Sequence, residues 1–175
     1  GVTYDGGAVS EALVDAAGRV EAVARLHRLL CYSMDGRVAA DFLKSVCSDA
    51  ASFAGVVGAK VSCEVALPVE PAAERLRALG LLIHELVVNA LKHAHPSGIA
   101  PSIEVRCSED AHGALAVDVR DDGVGFPDDF DPDVDGGFGF RMMRQLAKQL
   151  DALLAFESSP LGLVCSVRGR RHEMR

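Results

Sequence analysis

Tryptophan is missing from this sequence, tyrosine occurs twice, and aromatic residues make up only 5% of it. A core built with so few large rings has to be filled with Leu, Val, Ala and Phe, and an apolar content of 49% supplies enough of them for a globular domain. Any CxxC pair is missing too. The five cysteines, Cys31, Cys47, Cys63, Cys107 and Cys165, are scattered and odd in number, which argues against both a disulfide framework and a cysteine zinc site. They read as reduced thiols. No apolar run approaches the roughly 18 residues that mark a membrane span, and the first residues lack the charged-then-apolar layout of a signal peptide. The expected location is cytoplasmic, with no membrane contact by this piece, and a complete protein with a membrane anchor upstream is compatible with it. Basic clusters are scarce as well: the net charge of −7 disfavours nucleic acid as a partner, because phosphate binding depends on clustered Lys and Arg. A locally arranged phosphate site is still compatible with that total. At 175 residues the chain has the length of one domain plus an appendage.

What is present is a regular alternation of periodic segments and turn residues. Apolar residues recur at helical spacing from Val9 to Tyr32 (Leu13, Val14, Ala17, Val20, Val23, Ala24, Leu26, Leu29, Leu30), a surface broad enough to require a partner helix. After SMDG a second helix is expected from about Val38 to Phe53, then a strand over residues 59–67, then a long helix ending at His93. Strands are expected at Ser102 to Cys107 and Ala114 to Arg120, joined by the turn SEDAHG. An Asp/Gly/Pro-rich loop fills residues 121–137, a helix runs from about Phe138 to Leu150, and a hairpin pair at Ala155–Ser158 and Leu163–Arg168 closes the pattern. The basic end RGRRHEMR reads as a tail.

The long helix carries the unusual stretch HELVVNALKHAHP, residues 84–96. At about 100° per residue, Glu85, Asn89 and Lys92 fall in one narrow sector with His93 at its margin, opposite Leu79, Ile83, Leu86, Val87, Ala90 and Leu91. One reading is a solvated face with Glu and Lys at helical spacing. The other begins from Asn89, a residue that costs a few tenths of a kcal/mol in mid-helix relative to Ala. A carboxylate, an amide oxygen and an ammonium in a row have the chemistry to manage a metal-bound polyphosphate. A zinc-protease HExxH fails at its fifth position, which is Val88. His84 and His95 read as surface or edge histidines.

Two glycine-rich loops follow. In VDVRDDGVGFP, Asp121 ends a strand, and Gly123 and Gly125 allow a flat ligand to lie on bare backbone while the carboxylate accepts from an exocyclic amine. A plain Asp-Gly hairpin turn is the competing reading. In DPDVDGGFGFRMM, Asp131, Asp133, Asp135 and Gly136 match the first half of a calcium loop, but the twelfth position is Met142 where a Glu is needed. A dinucleotide fingerprint fails because Met142 stands where its third Gly belongs. The surviving reading is a flexible loop, Gly137-Phe138-Gly139, opening a helix whose N–H groups and dipole receive phosphate.

A helix with E-x-x-x-N-x-x-K/H, then D-x-G-x-G after a strand, then G-x-G opening a helix, resembles the nucleotide-binding domain of sensor histidine kinases and of the gyrase, Hsp90 and MutL ATPases. The residues that carry the resemblance are Glu85, Asn89, Lys92 and His93, then Asp121, Gly123 and Gly125, then Gly137 and Gly139. The likeness extends from about Val38 to Val167, and it is strongest to the HWE-like, short-lid kinases. It implies an α+β, two-layer α/β sandwich over residues 36–170, preceded at residues 1–33 by the second helix of a dimerisation hairpin. It implies ATP and Mg²⁺ as cofactors, with Asp121 on the adenine amine, Asn89 on the metal, Lys92 and His93 on phosphates, Glu85 orienting or deprotonating the acceptor, and Gly123, Gly125, Gly137, Phe138 and Gly139 in the loops around the nucleotide. The implied partners are a response-regulator receiver domain and, in the full-length protein, a second copy. The phosphoacceptor histidine is expected outside this chain, and His27 is not given that role.

This sequence departs from the family pattern in three places. The HWE tryptophan is absent, Leu163 stands where relatives often carry Thr, and the lid holds five aspartates, Asp128, Asp129, Asp131, Asp133 and Asp135, expected to face solvent. Two competing functions are a non-catalytic phosphotransfer or scaffold protein with a degenerate ATP fold, and an anti-sigma serine kinase.

Overall fold

The computed structural model describes residues 38–69, 71–110 and 112–170, together with Ala17, Val20 and Ala24. Those three are helical and exposed; the remainder of the helix expected over Val9 to Tyr32, His27 and most of the basic tail lie outside the described residues. From Val38 onward the described residues form eight elements in order: α1 (Val38–Ala54), β1 (Lys60–Ala66), α2 (Ala73–His93), β2 (Ser102–Glu109), β3 (Leu115–Asp121), α3 (Phe138–Gln149), β4 (Ala152–Ser159) and β5 (Gly162–Gly169).

The strands form one mixed sheet in the order β1-β2-β3-β5-β4. β1 and β2 are parallel, with Cys63 opposite Val105, and every other pair is antiparallel. A parallel neighbour needs a long crossover, and α2 is that crossover. The β2–β3 and β4–β5 connections are hairpins, the second a two-residue turn of Pro160 and Leu161 between Ser159 and Gly162. The strands alternate between a buried and a more exposed face, so that Ile103, Val105 and Cys107 of β2 and Val117 and Val119 of β3 point inward. The three helices cover that inner face: α1 lies on β1, α2 on β2 and β3, and α3 on β4. The other face carries polar pairs such as Arg168 with Asp118 and Arg106 with Glu104. The architecture is the expected α+β two-layer sandwich.

Because α2 is the central helix, flanked by α1 and α3, it is buried all round from Leu82 to Val88. Of the two readings of the polar row, a fully solvated face is excluded: Lys92 and His93 are exposed and Asn89 is half-buried, but Glu85 is 4% exposed. His84 is corrected likewise. It is 5% exposed rather than a surface residue, because Phe53 of α1 lies against it with ring centroids 6.0 Å apart. Its Nδ1 is buried without a hydrogen-bond partner. His95 does sit at an edge, where its Nε2 is 3.1 Å from Asp122 Oδ1.

Candidate functional site

The C-terminal half of α2, the end of β3 and the start of α3 converge on one cavity of about 510 Å³, a size typical of small-molecule sites. Asn89 and His93 reach it from α2, Asp121 from β3, Gly125 from the loop after β3, and Gly137 from the turn that opens α3. Three separated stretches of sequence are thereby brought to one hollow. Its walls are otherwise mainly apolar, with Leu86, Ala90, Val119, Met143, Leu163 and Cys165 facing in, which suits a flat ring held by a few polar contacts.

Asp121 is 5% exposed, and a buried carboxylate needs partners. Its Oδ1 accepts backbone hydrogen bonds from Gly123 at 2.9 Å and from Leu163 at 3.1 Å. Both of those donors bond the same oxygen, so Oδ2 is the atom left to accept from a ligand. The loop after β3 is clamped to α2, because Val124 N–H donates to the Ala94 carbonyl at 2.9 Å. A Cβ on Gly123 would lie 2.3 Å from that same carbonyl oxygen. Gly123 is therefore required by the approach of α2, and it does not itself line the cavity. Gly125 has φ +71, a conformation that only glycine adopts without strain.

Asn89 is half-buried, and its Nδ2 donates to the Met143 sulfur at 3.8 Å. That contact turns the amide so that Oδ1 is its available oxygen. Asp135, from the loop between Gly125 and Gly137, also borders the cavity, with its Oδ2 accepting from Asp131 N–H at 2.8 Å. An amide oxygen and a carboxylate are hard donors that suit Mg²⁺ in company with phosphate oxygens. At Gly137 no side chain caps α3, so the helix presents its dipole end to the hollow.

Besides Gly123, four residues expected in the site stand outside its wall. Lys92 is exposed, with its Nζ 5.9 Å from the ring centre of Phe53 on α1. Glu85 lies in the packed middle of α2, its Oε1 3.9 Å from His84 Nδ1. Phe138 and Gly139 belong to the first turn of α3, but of that turn only Phe140 lines the cavity, next to the Gly137 cap.

The aromatic floor had no signal in the sequence. Phe126, Phe130, Phe140 and Phe156 form one cluster, with ring centroids 4.9 to 6.0 Å apart, and all four border the cavity. They come from the lid, from α3 and from β4, and Phe126 N–H is further held by Ser158 Oγ at 2.7 Å. Four of the seven phenylalanines are spent here. All five lid aspartates are exposed. Asp131 closes its own turn by accepting from Asp133 N–H at 2.7 Å, and Asp133 pairs with Arg144 of α3. Among the described residues no helix is long and apolar enough to cross a membrane.

These features agree with comparisons to known proteins. The family model described as a histidine kinase-like ATPase domain matches residues 50–164. The chain is 35% identical over 103 residues to blue-light-activated histidine kinase 2 of Erythrobacter litoralis, a match covering 59% of this chain and 29% of that protein. It is 30% identical over 155 residues to the sensor histidine kinase PdtaS of Mycobacterium tuberculosis, covering 85% of this chain and 30% of that one. The chain thus spans less than a third of the length of these curated relatives. Among solved structures, the histidine kinase domain of a blue-light-activated kinase from Erythrobacter litoralis superposes with TM-score 0.77 at 26% identity, covering 93% of this chain and 83% of that one. With the cavity, the sheet order and a family match over more than half its length in agreement, the chain belongs to the histidine kinase-like ATPase domain family.

Proposed function

We propose that this chain is the ATP-binding catalytic portion of a sensor histidine kinase, which passes the γ-phosphoryl group of ATP to a histidine on an upstream helix and thence to a response-regulator aspartate. The observation that carries the reading is the single cavity shared by Asn89, Asp121 and Gly137. Adenine lies between the apolar walls, with its exocyclic amine donating to Asp121 Oδ2. The phosphates run toward the N-terminus of α3, where Gly137 and the helix dipole face them. His93 at the rim and Lys92, once its side chain leaves Phe53, supply positive charge to the same phosphates. A bound Mg²⁺, held through Asn89 Oδ1, would neutralise charge developing on the transferred group. Glu85, one turn before Asn89, is buried outside the cavity wall, and it would orient or deprotonate the acceptor histidine once the packing over it opens. The full-length protein acts as a dimer, in the cytoplasm.

Calorimetric titration with ATP in the presence of Mg²⁺ tests this. The unaltered chain should bind, and Asn89→Ala and Asp121→Asn should each weaken binding at least tenfold, about 1.4 kcal/mol, with unchanged circular dichroism. Asp121→Asn is chosen because it keeps an oxygen for the Gly123 and Leu163 N–H groups and removes only the acceptor facing the ligand. Full affinity in both variants would defeat the assignment, and absence of heat from the unaltered chain would favour a scaffold with a degenerate fold.

A further inference from the structure

The loop that follows Asp121 is tied to the end of α2 by two side chains that do not line the cavity, His95 and Asp122. Ile103 opposite Asp121 is the last pair of the β2–β3 ladder, so the next residues along, Ser102 and Asp122, share no rung. The Asp122 side chain takes the place of one, because its Oδ1 accepts from Ser102 N–H at 2.9 Å. His95 Nε2–H donates to the same oxygen at 3.1 Å. His95 directly follows Ala94, the C-cap of α2, and its own backbone is fixed by a turn: its carbonyl accepts from Gly98 N–H at 3.0 Å. Pro96 stands at the second position of that turn, where its locked φ is already the one required.

An exposed pair of flexible side chains contributes little. This pair differs, because the His95 side chain is only 13% exposed and its acceptor also holds a main-chain N–H at the end of the sheet. The Ser102 N–H foremost, with His95 adding to it, holds the Asp122 carboxyl below the usual carboxylate range against the opposing effect of burial, so the acceptor is ionised at neutral pH. Beside this tie runs the bond from Val124 N–H to the Ala94 carbonyl. Together the two fasten residues 122–124 to residues 94–95. Cavity groups stand on both sides of the seam: Asn89 and His93 on the last turns of α2, and Asp121 directly before Asp122. A ligand that touches both sides has to match the span between them.

We propose that His95 and Asp122 are positioning residues for the nucleotide site: their hydrogen bond sets the span between Asp121 on β3 and the Asn89–His93 end of α2, and neither touches the ligand. This rests on the nucleotide reading of the cavity. The bond requires a proton on Nε2, so the neutral ring is the Nε2–H tautomer with Nδ1 bare.

A long-range proton–nitrogen correlation spectrum of the unaltered chain reads the tautomer without any variant. It should show the His95 proton on Nε2 at mildly alkaline pH, and a bare Nε2 would overturn the proposal. Two substitutions separate the bond from the packing: His95→Phe keeps an aromatic ring without a donor, and His95→Gln puts an amide N–H near the place of the lost one. In His95→Phe the Val124 amide should exchange with solvent at least about fivefold faster, while Val105 and Val117 in the middle of the sheet keep their rates. Calorimetric ATP affinity in the presence of Mg²⁺ should fall at least about fivefold in His95→Phe, the scale of one lost hydrogen bond, and largely return in His95→Gln. Asp122→Ala should bind more weakly too, and adding His95→Phe to it should lower affinity no further, since the two share one bond. Unchanged exchange at Val124, losses that multiply in the double variant, or a His95→Gln chain no better than His95→Phe would each overturn the proposal. So would ATP binding of equal strength in the unaltered chain and in His95→Phe, with the nucleotide reading left standing. An unaltered chain that does not bind ATP defeats that reading itself, and the positioning role with it.

Discussion

Gly162 shows how much a single residue decides here. It opens β5 with φ +133, and a Cβ at that position would stand 2.0 Å from the Asp121 carbonyl oxygen. A side chain there meets both a backbone penalty and an overlap with the strand that carries the buried Asp121 carboxylate, so Gly162→Ala should lower stability by about 2–5 kcal/mol. Chemical denaturation would measure this, and a loss under about 0.5 kcal/mol, the scale of an ordinary surface substitution, would show that the hairpin gives way without strain. His84 makes the opposite case. Its Nδ1 is buried without a hydrogen-bond partner, with Glu85 Oε1 no nearer than 3.9 Å, and an unsatisfied buried polar atom costs about 1–3 kcal/mol. His84→Leu is therefore expected to leave folding stability unchanged or raise it, and a loss above about 2 kcal/mol would mean that the ring is held by more than packing. The residue types were visible in the sequence, but their environments were not. Asn89 and Asp121 stood out because a polar residue in mid-helix and a carboxylate before two glycines are locally odd. The burial of His84 depends on Phe53, 31 positions earlier, and no local pattern reports that.

At the scale of elements, the lid between Gly125 and Gly137 is fastened by aromatic packing. Phe130 contacts Phe126 at 4.9 Å and Phe140 at 5.8 Å between centroids, while Phe126 reaches β4 through Phe156 at 5.7 Å. The Asp133 pairing with Arg144 adds a tie to α3, of little value by itself because exposed ion pairs contribute 0–1 kcal/mol. Phe130→Ala should therefore release the lid while the sheet stays intact. Limited proteolysis should then cut within residues 126–136 several-fold faster than in the unaltered chain, and equal cleavage rates would deny the aromatic cluster its fastening role. Helix and strand positions were legible because apolar periods of 3.6 and 2 are local; α2, for instance, ends at His93 as expected. The cluster was not legible, since Phe126 and Phe156 meet only after β5 has inserted between β3 and β4. The lid read as glycine and aspartate, and its phenylalanines passed as loop residues.

For the whole molecule, the central matter is convergence. α2, the end of β3 and the start of α3 are held around one hollow by a sheet whose order, β1-β2-β3-β5-β4, departs from chain order. The three polar signals were each readable, and their order along the chain carried the family resemblance. Their meeting point and its apolar walls, with Leu163 and Cys165 supplied by β5, follow from the topology. The net charge of −7 does not oppose a triphosphate in this arrangement, because the exposed aspartates are separated from the Gly137 end of the cavity by their own turn, save Asp135 at its border.

The most direct measurement is an amide chemical-shift titration of the isotopically labelled chain with a non-hydrolysable ATP analogue and Mg²⁺. Shifts should appear together in residues 89–94, 121–125 and 137–141 and saturate with a single dissociation constant, as one ligand touching three segments requires. Shifts in only one segment, or separate constants for different segments, would contradict it.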